Sequence, residues 1–142
     1  MAKEKLFHVG VKGLVENEKG EVLVLSVEAN RYNKFVQHWD IPGGRIEYGG
    51  TIEGTLSREI DEETGIKTIE SAKFFTSVIS THEFEIETGQ TVGLVLMVYK
   101  VKVPEGSIVE ISHEHTGYEW VNRKEAAKRL AQKYPPEFTS LL

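Results

Sequence analysis

The chain contains no cysteine, which excludes disulfides, thiolate catalysis and cysteine-held zinc or iron–sulfur centres. Proline is scarce, at 4 of 142 residues, and no segment is low-complexity or internally repeated. Positive charge is in deficit: 17 Lys and Arg stand against 22 Asp and Glu, for a net charge of −5. Wrapping a nucleic-acid backbone needs a basic stripe, so a nucleic-acid polymer is an unsuitable partner. Long hydrophobic runs are missing too. The longest, Val92 to Tyr99, falls far short of the ~20 apolar residues of a membrane helix. The start, MAKEKLFHVG, has lysines but no sustained apolar core, unlike a secretory signal. The expectation is a cytoplasmic protein with no membrane partner, forming one domain over residues 1–142.

What is present is an oddly placed run of acids. Glu59, Glu62 and Glu63 stand at i, i+3 and i+4 in Arg58-Glu59-Ile60-Asp61-Glu62-Glu63-Thr64-Gly65-Ile66, so they share one helical face. Gly65 is a natural left-handed stop, which puts the acids at the negative end of the helix dipole, where each is disfavoured. The Glu59/Glu63 pair adds a like-charge penalty of roughly 0.2–0.5 kcal/mol. A bound divalent cation would reverse the sign of all these effects. The plainer alternative is a solvated acidic face, softened by Arg58 pairing with Asp61 or Glu62.

Around this run the pattern is mixed. Phe7 to Val15 and Glu21 to Val27 read as a hairpin joined at Glu16–Gly20. Ala29 to His38 is polar with scattered aromatics, and Trp39-Asp40-Ile41 leads into the breaker Pro42-Gly43-Gly44. Thr51 caps a helix to about Thr64, with Ile52, Leu56 and Ile60 as its apolar row beside the acids. Ile66 to Ile79 reads as extended, and His82 to Gln90 as a hairpin tip. Thr91 to Val103 is the most strand-like segment and is expected to be central. A short strand at Glu119–Val121 precedes a capping box at Asn122 that opens a helix to about Lys133. Pro135-Pro136 breaks it, leaving room for one more turn. The expected fold is α/β (α+β), with five to seven strands in a mixed sheet flanked by helices.

Gly44 and the stretch Arg58, Glu59, Ile60, Glu62, Glu63, Gly65, Ile66 fall in the register of a known signature. GGRIEYGGTIEGTLSREIDEETGI resembles the Nudix box of the Nudix hydrolase superfamily, MutT-like proteins included, at residues 44–66. Trp39-Asp40-Ile41-Pro42-Gly43 and Glu47 also look like the family. One position departs: the box's first glutamate falls at residue 50, which is Gly50 here. Glu47 or Glu53 is placed to replace it in part.

The resemblance implies an α/β/α sandwich and Mg²⁺-dependent hydrolysis of a phosphoanhydride, with Mn²⁺ as the alternative ion. It implies Glu59 and Glu63 as principal metal ligands, assisted by Glu62 and a backbone carbonyl at Gly43. Arg58 would orient the glutamates. Glu114, on the loop before the last strand, would be a further ligand or general base. His113 and His115 are its neighbours, and His38 and His82 are weaker candidates. Tyr32, Phe35 and Phe84 could stack on a base, while Trp39 and Trp120 suit the core. No arginine follows the second strand directly, since Ser26-Val27 stand there and Arg31 lies further on. The implied substrate is a small nucleotide: a nucleoside triphosphate cleaved to monophosphate and pyrophosphate. The alternatives are an ADP-sugar or dinucleoside polyphosphate hydrolase, or a non-catalytic nucleotide sensor on the same fold, for which Gly50 is the one argument. Many relatives are dimers, so a homodimer is the assembly to test.

Overall fold

The computed structural model describes residues 4–27 and 38–142. The expected hairpin forms from β1 (Phe7–Glu16) and β2 (Val22–Val27), antiparallel and joined at Glu16 and Val22. Two short strands absent from the sequence reading follow: β3 (His38–Asp40) and β4 (Gly43–Arg45). The first ends two residues before Pro42, and the second takes in Gly43 and Gly44, which were read as part of the breaker. After the first helix come β5 (Ser71–Ile79), β6 (Phe84–Glu85), β7 (Thr91–Lys102) and β8 (Gly117–Val121). Residues 66–70 were expected to continue as strand; they form no regular element.

The order across the sheet is β3-β2-β1-β7-β5, with β4 on β1 and β8 on β2. As expected, β7 is internal, paired with β5 on one side and running parallel to β1 along all of β1's length on the other. The mixed sheet is covered on both faces. Strand β2 shows why: its six residues are all buried, since alternate side chains feed opposite cores. Val22 and Val24 enter the core beneath α2 (Arg123–Leu130) and α3 (Pro136–Thr139), with Leu130, Tyr134 and Phe138. Leu23 and Leu25 enter the other core, beneath α1 (Ile52–Thr64), with Leu56 and Ile60. The helix read to Lys133 stops at Leu130 and ends in a turn.

Helix α1 is bounded as its residues dictate. Thr51 accepts a hydrogen bond from the Gly54 N–H, and Gly65 closes the helix at φ 73°. Gly13 of β1 lets the helix come close, because a Cβ there would lie 3.0 Å from Ile60 Cδ1. Burying Leu56 and Ile60 stabilises the docking by roughly 1.5–3 kcal/mol each. That exceeds the ~0.3–1 kcal/mol by which each acid near the helix end opposes it, so packing holds the acids where they are. The last turn carries no basic residue. Thr51→Ala is expected to cost about 1 kcal/mol and lower Tm by about 3 °C, measured by thermal unfolding. Among the described residues no helix is long and apolar enough to cross a membrane.

Candidate active site

Strand β4 brings the glycine pair to the helix. Its register with β1 sets Gly43 opposite Lys12 and Gly44 opposite Val11. A Cβ on Gly43 would fall 2.2 Å from the Val11 carbonyl oxygen, and one on Gly44 would fall 2.5 Å from the Glu59 carboxyl carbon. Only glycine permits this contact between strand backbone and helix carboxylates. The Gly43 N–H donates to Glu63 Oε2 at 3.0 Å.

An open cavity of about 580 Å³ results, and Gly43, Gly44, Glu59, Glu62, Glu63 and Glu114 all line it. Every residue expected to hold metal therefore faces one space. Their donor atoms are oxygens only, the set that a hard divalent ion such as Mg²⁺ takes. Among the described residues no three acidic or histidine side chains are already drawn into a coordination cluster. The carboxylates line the cavity without converging on a point.

Arg58 binds the acids rather than the open space. It donates to Glu59 Oε1 at 3.1 Å and lies 3.8 Å from Glu62 and 3.9 Å from Glu47. Of the pairings weighed for it, Glu62 is found, while Asp61 pairs with Lys67 instead. The hydrogen bond that Arg58 donates to Glu59, then the surrounding carboxylates, hold the guanidinium above its ordinary pKa. Glu47, one of the two residues expected to replace the carboxylate absent at Gly50, approaches Arg58, and the Gly50 N–H donates to the Glu47 carbonyl at 2.9 Å.

Glu63 is the unusual member. It is buried, at 7 % exposure, and burial pushes its carboxyl up to about 7. Lys12 and the Gly43 N–H oppose the rise, while Glu59 and Asp40 add to it. A buried carboxyl held near neutrality between other acids is electrostatically short of positive charge.

The sequence reading missed a polar cluster behind this cavity. Asp40 accepts from Lys12 at 3.2 Å, Lys133 at 2.9 Å and Tyr134 at 2.5 Å. Burial alone would raise Asp40, but the two lysines and the tyrosine hydrogen bond hold it far below the usual carboxylate range. Burial and then Asp40 push Tyr134 well above its ordinary value. One hint was available: Lys12 stands between Val11 and Leu14, both fully buried, in β1.

The remaining candidates separate. Glu114 lines the cavity. The buried Nδ1 of His115 has no hydrogen-bond partner among the described residues, and burial lowers its pKa against the pull of Asp40 and Glu114. His113 and His82 are exposed; His82 borders a smaller cavity beside Asp40. His38 pairs in β3 with Val27. The Phe84 ring sits under Arg45 at 4.4 Å, beside the main cavity. Trp39 and Trp120 pack at the edges of the two cores, as expected. Tyr32, Phe35 and Arg31 lie outside the described residues.

Comparison with known proteins follows the same lines. A sequence model of the family described as NUDIX domain matches residues 6–142. A MutT-like protein of Streptomyces ambofaciens is 31% identical over 130 residues, covering 91% of this chain and 73% of that protein. An 8-oxo-dGTP diphosphatase of Escherichia coli K12 is 38% identical over 56 residues, covering 38% of this chain and 40% of the relative. The crystal structure of a MutT protein from Methanosarcina mazei Go1 superposes with a TM-score of 0.69 at 28% identity, over 98% of this chain and 92% of that one.

Proposed function

The chain belongs to the Nudix family and is a Nudix hydrolase, and we propose that it is a Mg²⁺-dependent nucleoside triphosphate pyrophosphohydrolase acting as a single domain. The observation that carries this reading is the shared cavity, where Glu59, Glu62, Glu63, Gly43 and Glu114 present only oxygen donors. Bound there, a divalent ion supplies charge that neutralises phosphate oxygens and acidifies an attacking water.

The chain's own residues do the rest. Glu59 and Glu63 would hold the ion, with Glu62 and the Gly43 carbonyl assisting. Arg58 fixes the Glu59 carboxylate through its 3.1 Å hydrogen bond. Glu114 faces the same space from the loop before β8 and accepts the proton of the attacking water or adds a ligand. The substrate is a small nucleotide bearing a phosphate chain, and the name of the E. coli relative supports starting with purine nucleoside triphosphates. ADP-sugars and dinucleoside polyphosphates share the chemistry and differ in leaving group.

A nucleotide panel with Mg²⁺, Mn²⁺ or chelator, with products identified, tests the proposal. Cleavage of triphosphates to monophosphate and pyrophosphate, abolished by chelator, is expected. Rates unaffected by chelator would overturn it. A sensor without activity is the second reading, and Gly50 is its argument. The Glu47–Arg58 approach argues against it, because the missing carboxylate has a stand-in. Such an exposed pair contributes little, so Glu47→Gln is expected to reduce kcat/KM no more than about fivefold. Adding Gly50→Glu to that variant should restore the rate, read by steady-state kinetics.

A further inference from the structure

The geometry points to a second anion site, on the opposite face of the sheet from α1, in which Lys73, Lys100 and Lys102 bind a small polyphosphate of the inorganic pyrophosphate type. The register of β5 and β7 places Lys73 directly opposite Lys100 and Ser71 opposite Lys102. Opposed residues share a sheet face. It is the face of Leu96 and Val98, under α2 and α3, because alternation along β7 sends Val101 and Val103 to the α1 core instead. The lysines line one cavity of about 370 Å³ with Ser71 and Glu16.

This cavity is positive in a chain whose net charge is −5. Its one acid is already engaged, since Glu16 accepts from Arg123 at 2.5 Å. Among the described residues, Lys73, Lys100 and Lys102 make no ion pair. Lys100 is half-buried with its ammonium over the Phe75 ring at 5.0 Å, so its position is fixed by packing. Two like charges set directly opposite on adjacent strands repel. A multivalent anion between them converts that repulsion to attraction.

Size and surroundings define the ligand. Lys102 and Glu16 also border a neighbouring cavity whose other acids are Glu18, Glu70 and Glu105. That acidic margin opposes an extended polyanion and leaves room for a compact one. Ammonium groups act on phosphate as point charges, so affinity follows ligand charge, and pyrophosphate binds more tightly than orthophosphate. The site stands apart from the proposed active site and does not depend on that assignment. Glu16, at the end of β1, lies roughly 13–20 Å along the strand from Lys12, Val11 and Gly10, the residues that pair with β4.

The test uses the full chain in buffer freed of metal by resin, so that the acidic cavity repels the probe. Titration with inorganic pyrophosphate, followed by calorimetry and amide NMR, should give one site with Kd on the order of 0.1–1 mM. Amides of residues 71–73 and 100–102 should shift. The double variant Lys73→Gln/Lys100→Gln should bind at least about tenfold more weakly. Lys73→Glu gives a second check, since it places opposite charges across the strands and favours the fold while opposing the anion; its melting temperature should hold and its binding vanish. No binding by the unmodified chain, undiminished binding by folded variants, or shifts confined to residues 43–63 would each overturn the proposal.

Discussion

Glu59→Gln is expected to lower kcat at least ~100-fold with Mg²⁺ at saturation, equivalent to about 2.7 kcal/mol of lost transition-state stabilisation. The side chain is 17% exposed and faces the cavity within 3.1 Å of Arg58. Glutamine keeps its volume but removes a unit of negative charge and replaces one oxygen with an amide that repels both the guanidinium and a cation. The fold should survive, because the substitution relieves a charge at the unfavourable end of α1. Steady-state kinetics beside thermal unfolding separate the two effects. A folded variant within threefold of the unmodified rate would remove Glu59 from the chemistry.

Glu63→Gln should have opposite effects on stability and activity. The folded carboxyl sits at about 7 against an ordinary value of 4.5. An acid with a raised folded pKa holds its proton more tightly when folded, so stability declines as pH rises from about 4.5 to about 7 and levels off beyond. The decline amounts to roughly 3 kcal/mol. Glutamine has no charge to bury, and its oxygen can still accept the Gly43 N–H. Without metal above pH 7, the variant should therefore be the more stable protein by that amount. Its activity should fall about as far as that of Glu59→Gln. Asp40 does not blur the measurement. Its lowered pKa gives stability that is present above the ordinary carboxylate value and lost only at strongly acid pH. Urea unfolding between pH 5 and 8 in chelator reads the difference, and equal slopes for both proteins would refute the assignment.

Much of this arrangement was legible in the sequence because its signals are local. The bounds of α1 follow from the Thr51 cap and the Gly65 stop. The acid face follows from helical spacing, and β1, β2 and β7 from runs of β-branched and aliphatic residues. What escaped depends on distant partners. Strands β3 and β4 have little strand propensity of their own and exist because β2 and β1 pair with them. Helix periodicity places Glu63 among exposed acids, yet the Gly43 backbone crosses it and buries it. The Asp40 cluster joins Lys12, Lys133 and Tyr134 across gaps of 28, 93 and 94 residues, which no window along the chain can see. The departure at Gly50 was visible, but the approach of Glu47 to Arg58 was not.

The parallel pairing of β1 with β7 has a consequence for how the molecule assembles. Phe7 lies beside Gly93 and Glu16 beside Lys102, so most of the chain must be synthesised before the pair can close. Part of the seat beneath α1 comes from Val101, Val103 and Val109. A nascent polypeptide that has emerged only through α1 thus carries Leu56 and Ile60 with only the β1 and β2 part of their cover. Contacts this remote in sequence slow the search for the native topology. The carboxylate helix becomes anchored late, when the last third of the chain leaves the ribosome.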